Sequence, residues 1–209
     1  ARGYGRSNTA HLVEYCIKCG AARTGMLLLR KPEPEIIRRF LDRQAELGFT
    51  YQGVGATSRT PPPGYVVDHT RASLGSGEQV FAFAQTALEN WQQFQLGWLN
   101  AWPSTTSIRQ EEVVAVVARS IGVWWLNACR IVYVIDEQPE RRRFGFAYGT
   151  LPEHAGSGEE RFLIEMDDDG TVWYDVLAFS RPKGALIRLG YPYMRHLQKR
   201  FGRQSAAAM

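Results

Sequence analysis

The sequence is poor in the residues that would announce a chemistry. It has 3 cysteines and 4 histidines in 209 residues. So small and odd a set of thiols, without framework spacing, excludes a secreted disulfide scaffold. No apolar run approaches the roughly 20 residues that a membrane-spanning helix requires. Met26-Leu27-Leu28-Leu29 is too short for the apolar region of a signal peptide, and charge follows it at once. Together these absences predict a cytoplasmic protein. One metal-like spacing exists, Cys16-x-x-Cys19, and even with His11 it leaves a four-ligand zinc site one ligand short. Gly53-Val54-Gly55 is too little for a phosphate loop, and Ser73, Ser157 and Ser180 stand in no nucleophile-elbow context. No metal and no cofactor are expected.

What is present is ordinary globular composition with unusual aromatic weight. Hydrophobic residues make up 44%, charged residues 22% and aromatics 12%, including 6 Trp. That bulk favours a core or a cavity wall of large flat side chains. The length suits one domain. Of the formal charge of +4, Arg2, Arg6, Lys18 and Arg23 against Glu14 supply +3, which leaves +1 for residues 26–209. With no basic-aromatic stripe, nucleic acid is not an expected partner. From Arg181 onward there are seven Lys or Arg residues and no acid. The plain reading is a solvated helix face; the functional one is docking of 183–203 on a membrane surface or an acidic partner.

Residues 1–25 show neither helical nor strand periodicity and are expected to be an irregular tail outside the natural domain, with Met26 as its start. A helix is predicted over 34–47, with Pro34 in its first turn, Gly48 as its cap, and Ile36, Ile37, Phe40 and Leu41 as its apolar stripe. A second is predicted from a Ser76–Gln79 capping box to Phe94. Period-two patterning predicts strands over 65–74, 97–103, 113–119, 124–136, 142–150, 160–166 and 171–180. Asp167-Asp168-Asp169-Gly170 is read as the hairpin turn between the last two, not as a calcium loop. A closing helix is predicted over 183–203, kinked at Pro192, with Leu186, Leu189, Tyr193, Met194, Leu197 and Phe201 on its apolar face.

The implied fold is α+β: a curved antiparallel sheet of about six to seven strands gripping a long C-terminal helix. The order of elements is similar to the helix-grip fold of the START and pollen-allergen superfamily. Several stretches are more specific. They are Phe49-Thr50-Tyr51-Gln52-Gly53-Val54-Gly55, Pro63-Gly64-Tyr65-Val66-Val67-Asp68-His69, and Leu126-Asn127-Ala128-Cys129-Arg130-Ile131-Val132-Tyr133. Further on come Arg143-Phe144-Gly145-Phe146-Ala147-Tyr148-Gly149-Thr150-Leu151-Pro152, Gly158-Glu159-Glu160-Arg161-Phe162, and Val172-Trp173-Tyr174-Asp175-Val176-Leu177-Ala178-Phe179-Ser180-Arg181-Pro182. On these motifs the chain closely resembles uncharacterised protein family 0548, from about Met26 to Met209. The resemblance implies membership; that family has no established catalytic residues to carry over.

Strand alternation sorts candidate residues by face. Phe144, Phe146 and Tyr148 share one side of their strand, and Gly145, Ala147 and Gly149 the other, a small-residue face that lets another element approach. Trp125, Asn127, Cys129, Ile131 and Tyr133 oppose Trp124, Leu126, Ala128, Arg130 and Val132. Arg130 needs a carboxylate, and Asp175 or Glu165 would supply it as a structural ion pair. The functional alternative sets Asn127, Arg130, Tyr148, His154, Trp173 and Tyr174 around a cavity that binds an apolar or amphipathic small molecule. A second alternative is an acid–base enzyme of hydrolase or cyclase type using His69 with Asp175 or Glu165. Cys129, mid-strand, is expected to be inert.

Overall fold

The computed structural model describes residues 18–19, 22–23, 25–137, 142–183 and 189–209. Among the described residues, two short strands, β1 (Lys18–Cys19) and β2 (Ala22–Arg23), pair only with each other. His11, Cys16 and Leu186 lie outside the described residues. The main sheet contains β3 (Met26–Leu28), β4 (Val66–Ser76), β5 (Leu99–Trp102), β6 (Val113–Ser120), β7 (Val123–Glu137), β8 (Arg143–Thr150), β9 (Gly156–Met166) and β10 (Thr171–Pro182). Its order is β4-β10-β9-β8-β7-β6-β5, every pair antiparallel. All seven strands expected from periodicity are present, and β3 is an eighth, paired with the N-terminal part of β7.

Helix α1 (Pro34–Ala45) covers the convex face. It seats Ile37, Phe40 and Leu41 on Ala115, Val117, Leu126 and Ala128. Its cap falls on Glu46, ahead of the expected Gly48. Helix α2 (Glu78–Glu89) and α3 (Tyr191–Ala208) lie against the concave face. The expected capping box does not form, because Ser76 is used as the last residue of β4, paired with Thr171, and Gly77 takes the cap position. Helix α2 ends before Phe94. Trp91 adopts φ 55 to bury its indole against Phe146 and to donate from Nε1 to the Thr106 carbonyl at 2.8 Å. Burial of the largest side chain outweighs the local cost of a left-handed conformation. Pro192 does not kink α3 but stands in its first turn, where a missing N–H costs nothing. Leu189, expected on the apolar face, is 84% exposed.

The turn at Asp167–Gly170 is a hairpin as expected: the Gly170 amide donates to the Asp167 carbonyl at 2.8 Å, with Gly170 at φ +84. At the β7–β8 pairing the register slips between Ile131 and Tyr133, so Val132 is an extra residue. That bulge turns Tyr133 onto the convex face, where its hydroxyl meets Thr57 Oγ1 at 2.7 Å, rather than leaving it beside Ile131. The small-residue face of β8 does admit another element. A Cβ added at Gly149 would lie 2.1 Å from the Tyr51 hydroxyl.

Candidate functional site

The two ends of the concave face are filled differently. Under α2 and the 3-10 turn at Gln92–Phe94, the centre is solid: Leu88, Trp91, Phe94, Phe146, Phe162 and Ile164 pack into one cluster. Under α3 it is hollow, with a cavity of about 680 Å³. Phe94 and Phe201, with ring centroids 5.3 Å apart, form the partition between the two regions. Trp98, Trp125, Val116 and Val176 line the sheet side, and Tyr193, Met194 and Leu197 the helix side. The helix contributes these residues because 193, 194, 197 and 201 fall on one face at helical spacing.

The surface of this space is mainly apolar, with charged groups set into it. On β9 the alternation that turns Phe162 and Ile164 inward turns Glu160 inward too. The Tyr148 hydroxyl, from the neighbouring strand β8, donates to Glu160 Oε2 at 2.7 Å. Burial pushes the Glu160 carboxyl up to about 7; the Tyr148 hydrogen bond opposes that rise and the charge of Asp68 adds to it. The same burial pushes the Tyr148 phenol well above its ordinary value. Asp68, also on the cavity side, is clamped by Arg195 of α3, whose Nη2 donates to Oδ1 at 2.6 Å and whose Nη1 donates to Oδ2. His154 sits at the far rim, and desolvation there holds its imidazole down at about 4, so the ring is neutral. His154 Nδ1 lies 2.9 Å from the Gly156 amide and 3.1 Å from the Gly156 carbonyl, so the backbone of Gly156 fixes the ring.

Three of the residues expected around a cavity do line it: Asn127, Tyr148 and His154. Asn127 is committed to the fold, since its Oδ1 accepts from the Ala155 amide at 3.1 Å and its Nδ2 donates to the Val116 carbonyl at 3.4 Å. Tyr174 is buried beneath the C-terminal part of α3, its hydroxyl 2.6 Å from Ser205 Oγ. Arg130 and Trp173 point the other way. Arg130 caps helix α1 on the convex side, donating from Nη2 to the carbonyls of Ala45 and of Leu47, the latter at 3.0 Å. The negative end of a helix supplies the partner that was sought from Asp175 or Glu165. Trp173 stacks under the Arg71 guanidinium and donates to Asp167 Oδ2 at 2.8 Å.

His69, Asp175 and Glu165 also lie on the convex face. They do come together there, but as an ion network. His69 Nε2 is 2.6 Å from Asp175 Oδ2, Arg161 Nη2 donates to Asp175 Oδ1 at 2.8 Å, and Arg71 pairs with Glu165. Burial of Asp175 would raise its carboxyl, and the bonds from His69 and Arg161 outweigh burial and hold it below the usual range. His69 borders the cavity on β4, but its imidazole turns away to Asp175, and Asp175 and Glu165 do not line the cavity. This placement removes the acid–base site built on His69. Cys129 is fully buried and its thiol is pushed up by desolvation, so it is inert as expected. Among the described residues no group of three metal-ligating side chains converges, and no helix is long and apolar enough to cross a membrane.

Sequence reading passed over Glu160. Its signal was nonetheless legible: 160 shares parity with Phe162 and Ile164, so the strand that turns those rings and branches inward carries an acid with them.

An antiparallel sheet curled around a C-terminal helix, with a mainly apolar hollow between them and the carboxyls of Asp68 and Glu160 in its wall, defines an α+β domain. The chain belongs to the family described as Domain of unknown function (DUF1990), whose model matches residues 50–208. A UPF0548 protein of Dictyostelium discoideum is 34% identical over 84% of this chain and 90% of its own length. A UPF0548 protein of Deinococcus radiodurans is 37% identical over 87% and 96%. The resemblance drawn from the motifs is therefore borne out. Among solved structures, that of Ara h 8.0201 covers 69% of this chain and 97% of its own, at 11% identity and a TM-score of 0.43. A hypothetical protein from Helicobacter pylori covers 77% and 95%, at 10% and 0.45. At those scores the likeness adds nothing to the fold, which stands on the strand register.

Proposed function

We propose that the protein binds an apolar or amphipathic small molecule in the hollow between the sheet and α3. The observation that carries this reading is the division of the concave face. The same sheet that is packed solid under α2 keeps about 680 Å³ open under α3, within the range of sites for small ligands. A void of that size lined by rings and branched chains forfeits packing energy unless something fills it. The Glu160–Tyr148 pair and the His154 ring give a bound molecule polar anchors at the wall and rim.

Two measurements test it. Native mass spectrometry of the freshly purified protein is expected to show a retained small molecule. After its removal, the neutral dye N-phenylnaphthylamine is expected to bind one to one with enhanced fluorescence, and Ala118→Trp, which puts an indole into the hollow, is expected to block it. Dye binding unchanged by that substitution, or no binding of dye and no retained molecule, sinks the reading.

A further inference from the structure

The cavity wall holds two carboxylates in unequal circumstances. Asp68 is neutralised by both nitrogens of the Arg195 guanidinium. Glu160 has a phenol for a partner and Asp68 as its charged neighbour. Among the described residues no cation pairs with it: Arg195 is spent on Asp68, and Arg200 is stacked over the Trp98 ring, 4.7 Å from its centroid. His154 is neutral. Lys199 and Arg203 reach the rim from the exposed side of α3. The cavity interior therefore carries an acid and no compensating base. Burial holds the Tyr148 phenol in the wall protonated, as it does Tyr174 on β10 and Cys129 on β7 in the packed layer beside the cavity.

A buried carboxylate without a cation is unfavourable, and a molecule that brings the cation removes the penalty. A bound anion would meet the opposite: repulsion from Glu160 in a low-dielectric space. The same wall carries Phe94, packed on Tyr148, and Phe201, packed on Phe94, aromatic faces that favour a cationic nitrogen and bulk that suits an apolar body. We infer that this cavity selects amphipathic molecules that carry a protonated amine, with Glu160 as counter-ion and the aromatic wall around the chain or ring. The inference rests on the binding reading above and adds the polarity of the ligand.

The test compares three probes with one tail: decylamine, decanol and decanoate, titrated into the full-length protein at about pH 8 and about pH 5 and followed by tryptophan fluorescence and calorimetry. Decylamine stays charged across that range. At the higher pH it is expected to bind at least about tenfold tighter than decanoate, with decanol between them. Its affinity is expected to fall as pH drops through about 7, where Glu160 takes up a proton, while that of decanol stays level. Glu160→Gln is expected to abolish the amine preference, so that decylamine binds no tighter than decanol. Tyr148→Phe keeps the carboxyl but removes its hydrogen bond, so the pH midpoint for decylamine is expected to move up. Should Glu160→Gln fail to fold by circular dichroism, an unmoved midpoint in Tyr148→Phe overturns the inference. Equal affinities for all three probes overturn amine selection and leave small-molecule binding standing. Failure of all three to bind overturns both.

Discussion

Glu159 and Glu160 are neighbours in the chain and opposites in the molecule. Glu159 faces the convex side, where the 3-10 segment Ala56–Ser58 and the residues before it wrap its carboxylate. Its Oε2 accepts from the Tyr51 hydroxyl and the Gly55 amide, both at 2.7 Å, and its Oε1 from the Thr57 amide at 2.9 Å and the Thr57 hydroxyl. Glu160 faces the hollow with one phenol. Both are acids taken largely out of water. One is saturated by donors that the fold brings to it, and the other is left with capacity to spare. The comparison extends to the whole sheet: the convex face holds its charges in closed networks, around Glu159 and around Asp175, while the concave face under α3 leaves one open. Closed networks hold loops and strands together; an open one is where an incoming molecule can make a difference.

The largest expected effect is at Glu159. Glu159→Ala strands four donors, two of them backbone amides, and is expected to cost about 3–5 kcal/mol of stability in urea unfolding. A loss under about 1 kcal/mol would erase the contrast between the two acids.

Next comes Asp175, the hub of the second network. Asp175→Asn is expected to cost about 1–3 kcal/mol near neutral pH, because Arg161 loses its carboxylate partner. The folded carboxyl titrates below its ordinary value of 3.8, so its contribution is complete above that value and disappears as pH falls through the depressed one. The variant and the parent should therefore converge in acid, and the variant should bind cavity probes as the parent does. Altered probe binding would mean that the two faces are not independent.

Glu160→Gln should act in the opposite sense. Its folded value of about 7 stands above the ordinary 4.5, so the parent loses stability as pH rises from 4.5 through 7, and the amide does not. The variant is expected to be more stable by about 1–3 kcal/mol near pH 8 and indistinguishable near pH 4 in thermal or urea unfolding. Equal pH profiles would show that water reaches the carboxyl freely.

The smallest effect is at the rim. His154, held down at about 4 from 6.5, contributes stability that is complete above 6.5 and is lost as pH falls through 4. Its ring is expected to stay neutral in an NMR titration until about pH 4. Protonation near the ordinary histidine value would mean that the rim is more open to solvent than its packing indicates.

Much of the fold was legible because it follows from local patterns. The alternation in Arg143–Thr150 and Thr171–Pro182 assigned both faces of those strands, and Asp-Gly placed the turn. The small-residue face of β8 foretold a close approach, which Tyr51 makes at Gly149. Other expectations failed where a distant partner intervened. Arg130 found the carbonyls at the end of α1 and the Glu111 carboxylate at 3.7 Å instead of Asp175 or Glu165, because those partners are delivered by packing and leave no mark in the neighbouring strands. His69 was legible as a strand residue, but parity alone does not say which parity faces the helix; the pairing Leu177↔His69 and the bond to Asp175 set it outside.

By itself the sequence determined the strands, their order of hydrophobic faces and the existence of an aromatic-rich interior, since these depend on spacing along one segment at a time. Only the tertiary structure decided which face is concave, that α2 fills one end of it while α3 spans the other, and that Glu160 stands in the gap without a cation. The reason is that a cavity is an absence between elements: its walls are written in separate segments, and its emptiness depends on distances that no single segment encodes.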